Sequence, residues 1–203
     1  MTPITFQITF RIRFLTAFRV GASAGRDGVD APVDRLRPLA ADHLKGIIRA
    51  SARETLRLHP DIVTRVFGST SSPSPWSWSD AQPLDGKRWE PGYRHRVSIN
   101  EKSHTAQEGA LVLSEDVWAP RAGFEVTWVA AGEPDHDHVL VLMASAAATH
   151  AIGAWRRRGL GWVSITSPLA DWDIVDARRL IELREAVPGS GPGQGIRSRG
   201  VST

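Results

Sequence analysis

Arg156-Arg157-Arg158-Gly159-Leu160-Gly161 sets three adjacent guanidiniums against two glycines. A guanidinium is a permanently charged planar fork that suits phosphate oxygens, and glycine lets a backbone come close to a bound anion while its amides donate to it. The run reads either as an anion cradle or as an ordinary basic turn. Lys45, Arg49, Arg53 and Arg57 recur at every fourth position, which on a helix stacks four cations along one face. Like charges at that spacing repel by a few tenths of a kcal/mol per pair, and Glu54 alone is near enough to offset them. That face is either solvated or built for an anion. Arg94, His95 and Arg96 add basic strand residues. Taken together, these positions describe a surface able to follow a phosphodiester backbone.

Other arrangements carry less. Gly21-Ala22-Ser23-Ala24-Gly25 fits the hydrolase-elbow pattern, but Arg26-Asp27-Gly28 continues a loop where an elbow must enter a helix, so Ser23 reads as a chance match. His136-Asp137-His138 has no third ligand at a metal-site spacing and reads as a solvated helix start. The tail glycines follow no strand and precede no helix, so they are not a phosphate loop. Cysteine is absent, which excludes disulfides, thiolate nucleophiles and cysteine-bound zinc.

Positioning such residues requires a folded body. The chain has 203 residues, 41% hydrophobic and 23% charged, enough for one domain with a real core. Its net charge is +3 and its pI near 9.9 because arginine dominates the cations. No apolar run approaches the roughly 18 residues of a membrane span, so a soluble, cytoplasmic protein with no membrane partner is expected. Ile4, Phe6, Ile8, Phe10, Ile12 and Phe14 alternate with polar residues that include Arg11 and Arg13, the period of a half-buried strand. After a loop to Pro38, Asp42 sits where an N-cap belongs and a helix should run to about Leu58, with Leu44, Ile47, Ile48, Ser51, Thr55 and Leu58 inward. Residues 69–91 carry Trp76, Trp78 and Trp89 without a period and read as an insertion or extended loop outside the core, where exposed tryptophans would suggest a docking surface. Strands follow at Tyr93–Ile99, Ala110–Trp118 and Phe124–Ala130, then a helix over Asp135–Trp155, a short strand at Trp162–Thr166 and a last helix within Asp171–Ala186. This order fits an α+β, ferredoxin-like antiparallel sheet over residues 1–186. Residues 187–203 are too polar to offset their ordering entropy and are expected to be disordered.

Several segments, in order, make the chain resemble the RAMP superfamily of CRISPR-associated proteins, and within it the backbone subunit of type III effector complexes. They are Gly28-Val29-Asp30-Ala31-Pro32-Val33, His43-Leu44-Lys45-Gly46-Ile47-Ile48-Arg49, Val66-Phe67-Gly68, Arg96-Val97-Ser98-Ile99-Asn100 with Thr105 to Leu111, and Arg158-Gly159-Leu160-Gly161. The resemblance implies a modified RNA-recognition-type ferredoxin fold with helices on one face and a protruding thumb hairpin, placed at about 100–109. It implies that copies of the chain, with other type III subunits, line up along a CRISPR RNA, the thumb interrupting the guide–target duplex at intervals. His43, Lys45, Arg49, Arg53, Arg96, Arg156, Arg157, Arg158, Gly159 and Gly161 are then expected to hold RNA. Asp30 falls on the position of the family's target-cleaving aspartate, where a carboxylate would hold a divalent cation, Mg²⁺ or Mn²⁺, against the scissile phosphate of single-stranded target RNA. Some such subunits keep the fold and only bind RNA and their neighbours. Where the family usually has Pro-Gly-Ser-Ser before Leu-Lys-Gly, this chain has Ala40-Ala41-Asp42-His43, an aspartate beside the guide.

Overall fold

A computed structural model describes residues 6–22, 25–169 and 173–185. Ser23 and the tail 187–203 lie outside them. Strand β1 (Gln7–Phe14) alternates as its sequence predicts: Ile8, Phe10, Ile12 and Phe14 are buried, while Gln7, Thr9, Arg11 and Arg13 face outward. The strand is central in an antiparallel sheet. Among the described elements, helix α1 (Ala41–Ala50) and helix α2 (Pro60–Phe67) come next, followed by strands β2 (Trp76–Trp78) and β3 (Gln82–Pro83). A hairpin of β4 (Glu90–Ile99) and β5 (Ala106–Trp118), strand β6 (Arg121–Trp128), helix α3 (His136–Ala147), strand β7 (Val163–Thr166) and helix α4 (Ile174–Glu185) complete the order. The main sheet runs β2-β6-β1-β7, with β3 also on β6. Leu44 and Ile48 of α1, Val63, Val66 and Phe67 of α2, and Val141 and Leu142 of α3 join the buried β1 residues in one core. The fold is thus α+β, an antiparallel sheet with its helices on one face.

The tryptophan segment is part of this core, which corrects its reading as a docking surface. Trp76 is buried and crosses Trp128 edge to face at 4.9 Å, Trp78 stacks on Phe124, and Trp89 stands edge-on to Phe14 and Phe18. Strands of three and two residues are too short to show a period, and pairing with β6 alone reveals them.

The helix expected from Asp42 to Leu58 is not continuous. α1 stops at Ala50 and Ser51–Thr55 forms a π-turn, closed by Leu56 N–H on the Ser51 carbonyl at 3.0 Å. The wider turn changes the inward set: Ser51 and Ala52 are buried, Ser51 bonded to Thr149 at 2.7 Å, and Thr55 is exposed. Arg57 leaves the helix in a left-handed conformation, φ 55°, and so leaves the basic stripe. Nor does Asp42 cap α1. Ala40 occupies that position, and the carboxylate of Asp80, from the β2–β3 connection, accepts from the Ala41 N–H at 2.9 Å while pairing with Arg37 at 2.6 Å. These partners push Asp80 down to about 2.

Two further elements differ from expectation. α3 ends at Ala147, well before Trp155, and its N-terminus is only partly solvated, Asp135 and His136 being exposed. Asp137 and His138 are buried, with Asp137 held below the usual carboxylate range by a two-pronged pair with Arg179 of α4, both contacts at 2.7 Å. Strands β4 and β5 pair only with each other as ladders, outside the main sheet. The ribbon Glu90–Trp118 thus forms a second, two-stranded sheet, and β5 already begins at Ala106, which confines the connection read as 100–109 to a turn over 100–105.

Candidate nucleic-acid interface

The Arg156–Arg158 segment is a single 3₁₀ turn between two left-handed residues, Trp155 at φ 59° and Gly159 at φ 80°. All three arginines are exposed. The two glycines do different things. Gly161 donates its N–H to the Ala17 carbonyl at 2.7 Å and accepts from Ile152 at 2.8 Å, and a Cβ there would run into the Ile152 carbonyl. Its lack of a side chain serves the fold. Gly159 has no neighbouring atom within 4 Å of where a Cβ would stand, so its backbone is open to a ligand.

Trp155 gathers cations from three parts of the chain. The guanidinium carbons of Arg19, just past β1, and of Arg96, on β4, each lie 4.7 Å from its ring centroid, and that of Arg158 lies at 6.0 Å. These are cation–π distances. Burial pushes the Arg19 guanidinium down from its ordinary value, and its Nε is shielded with no hydrogen-bond partner.

Helix α1 divides the remaining basic residues between two flanks. At about 100° per residue, His43 and Lys45 diverge by about 160°. His43 turns toward the arginine turn: burial, then the charge of Arg156, lowers its pKa, so the ring is neutral at pH 7, and its shielded Nε2 has no partner. Lys45 and Arg49 instead line a cleft of about 480 Å³ with Asp42, Gly46, Gly68 and Ser69. Arg49 and Arg53 line a neighbouring cleft of about 350 Å³ against α2. The structure thus brings His43, Arg96, Arg156, Arg158 and Gly159 to one side of α1 and places Lys45, Arg49 and Arg53 on the other. Arg94, also read as basic surface, is paired with Asp116 across the ribbon.

Asp30 sits on the free edge of β5. Its N–H donates to the Leu113 carbonyl at 3.0 Å, and its Oδ2 accepts from the Leu113 N–H at 2.8 Å. That engages one carboxylate oxygen and leaves an exposed side chain with the other available. The loop around it is fixed by Glu115, two residues along β5. Its fully buried carboxylate accepts from Arg26 at 2.6 and 2.7 Å, from Arg35, and from the Val33 N–H at 3.1 Å. Burial alone would raise its pKa, but the Val33 amide and the two guanidiniums together outweigh it and hold the carboxyl below its usual range. Among the described residues no group of three His, Cys, Asp or Glu converges on a metal position. A cation at Asp30 would take its other ligands from water and RNA, a pattern Mg²⁺ commonly shows.

Asp30 and Arg96 are nearly level on the ribbon, since Asp30 bonds Leu113 and Arg96 faces Val112. Two strand spacings, about 10 Å, separate their backbones. Sequence reading missed Arg19, Trp155 and Glu115. An aromatic residue directly before three arginines is a signal for Trp155, but the partners that make the cluster are distant in sequence and meet only through the fold.

The RAMP superfamily model matches residues 11–164. No curated protein sequence matches. Among solved structures, a chain of the Type III-B Cmr-beta complex bound to cognate target RNA superposes with a TM-score of 0.60 at 13% identity, covering 80% of this chain and 97% of that one. A chain of Type III-B Cmr-beta in the apo state gives 0.63 at 13% identity, covering 81% and 98%. At such identity the likeness is one of fold.

Proposed function

The chain belongs to the RAMP superfamily, and on that premise we propose that it is a backbone subunit of a type III CRISPR effector complex. It binds CRISPR RNA, contacts single-stranded target RNA, and packs against further copies of itself and other subunits. The observation that carries this reading is the placement of Arg96, Arg158 and Trp155 about one ribbon whose edge also holds Asp30. Cations there face a ribose-phosphate strand, and the carboxylate is within reach of the same strand.

In its fuller form the proposal makes Asp30 the group that cuts target RNA. A divalent cation bound there, Mg²⁺ or Mn²⁺, would stabilise charge on the phosphate that the neighbouring 2′-hydroxyl attacks. Leu113 holds one oxygen of Asp30 so that the other points to solvent, and Glu115 keeps the loop in that register. Mixing the assembled complex with labelled complementary RNA and Mg²⁺ should give discrete fragments. Asp30→Ala should abolish them while RNA stays bound; uncut RNA with the unaltered chain would remove the nuclease claim. A second reading, a subunit that only grips RNA and its neighbours, is favoured by the lack, among the described residues, of any group of three His, Cys, Asp or Glu that could hold a metal ion at Asp30. Normal cleavage by Asp30→Ala complexes, or none by either, would support it.

A further inference from the structure

We propose that Arg19, Arg96 and Arg158 form a single phosphodiester clamp organised by Trp155, and that an RNA phosphate held there fastens the ribbon to the glycine turn. This rests on the RNA-binding reading above and names the residues that close the site.

Three guanidiniums stand about one indole, and among the described residues no carboxylate pairs with any of them. Several other arginines are paired: Arg26 and Arg35 share Glu115, Arg94 has Asp116, and Arg179 has Asp137. Arg49, whose Nε is likewise shielded without a partner, is a single cation and not one of a cluster about an aromatic ring. The carbons of Arg19 and Arg96 can be no farther apart than twice their 4.7 Å distances from the ring, about one Debye length at 0.1 M salt. Their mutual repulsion is therefore not screened away. Trp155 offsets part of it through the face of its ring, but an indole bears no net charge. Arg19 is also partly desolvated, and its Nε has no acceptor. An anion with several oxygens supplies both the missing charge and the missing acceptor, and a phosphodiester suits planar forks.

The three arginines come from separate elements. Arg19 follows Phe18, whose backbone pairs with Val117 at the ribbon base; Arg96 lies midway along β4; and Arg158 closes the arginine turn. One bridging anion would thus bind ribbon, β1 exit and turn together.

The test uses the full chain and a fluorescein-labelled, mixed-sequence single-stranded RNA, with affinity measured by anisotropy across a salt series. Arg19→Gln should weaken binding about tenfold, the loss of one charged hydrogen bond, and lower the slope of log affinity against log salt by about 0.7. Arg19→Lys should keep the slope. Arg158→Ala removes a second clamp guanidinium at an exposed position, where the loss of a packed side chain does not confuse the result. Trp155→Ala should lower affinity and remove RNA-dependent protection of the Val112 to Ser114 amides against hydrogen exchange. Unchanged affinity and slope in both Arg19→Gln and Arg158→Ala overturn the clamp while leaving RNA binding intact. Weakened self-association with normal RNA affinity also overturns it, assigning the anion to a neighbouring protein. If the unaltered chain binds no RNA, the broader reading fails first.

Discussion

Replacing the Glu115 carboxylate by an amide would leave Arg26 and Arg35 side by side with no counter-charge, while the amide oxygen could still accept from the Val33 N–H. Both guanidiniums are more than a third exposed, so water recovers part of the loss. Glu115→Gln should cost about 2 kcal/mol, the scale of a hydrogen bond to a charged group. The Glu115 carboxyl sits below its unfolded value, so its contribution is complete above that value and fades as pH falls through the folded one. Thermal melts of Glu115→Gln and the unaltered chain should converge on acidification, and a gap that persists would deny the ionic role. Asp80 obeys the same sign with a wider window, being pushed down to about 2 by Arg37 and the Ala41 amide. Asp80→Ala should cost about 1 kcal/mol at neutral pH, the loss of a helix cap. The difference should hold above about pH 5, where even an unfolded Asp is mostly ionised, and shrink from there to pH 2.

At the scale of elements, the glycine turn separates two roles that look alike in sequence. Gly159→Ala should cost about 1 kcal/mol, the penalty of placing a Cβ in the left-handed region, because the space beside it is open. Gly161→Ala pays the same penalty and also meets the Ile152 carbonyl. Its melting temperature should fall further, and equal losses in the two variants would contradict this division. The sequence made β1 legible because one face is buried and the other wet, so its period of two survives intact. It made the first helix legible only to Ala50, since a π-turn leaves no periodic trace and the buried Ser51–Thr149 hydrogen bond that accompanies it joins residues distant in sequence. The basic candidates were visible as residue types, but their division between two flanks depends on what α1 packs against. The clustering about Trp155 depends on a ribbon that period alone could not distinguish from two strands of the main sheet.

For the molecule as a whole, the ribbon is attached rather than integral. Its outer residues Val97, Ile99 and Leu111 are exposed, at 49, 54 and 63%. The core contributions from this region come from its base, at Trp89 and Val117. The free edge of β5 is stitched to the body by Phe18 at Val117 and by Asp30 and Ala31 near Leu113. Cutting the ribbon above these stitches should leave the main sheet standing. Replacing Ser98–Ala110 by Asn-Gly, which closes a two-residue hairpin between the facing Val97 and Leu111, should move the melting temperature by no more than a few degrees. Arg96, Trp155 and Asp30 all remain in that variant, so its affinity for short single-stranded RNA should stay within about threefold. What it loses is the tip of the ribbon, Ile99 and the polar turn over 100–105, the part most distant along the strands from the stitches to the body. Assembly of multi-copy complexes on a long guide, followed by native mass spectrometry, should therefore fall while binding to short RNA persists. If the shortened chain melts far lower, the ribbon is a structural member of the core, and its separation from the main sheet means less than its pairing suggests.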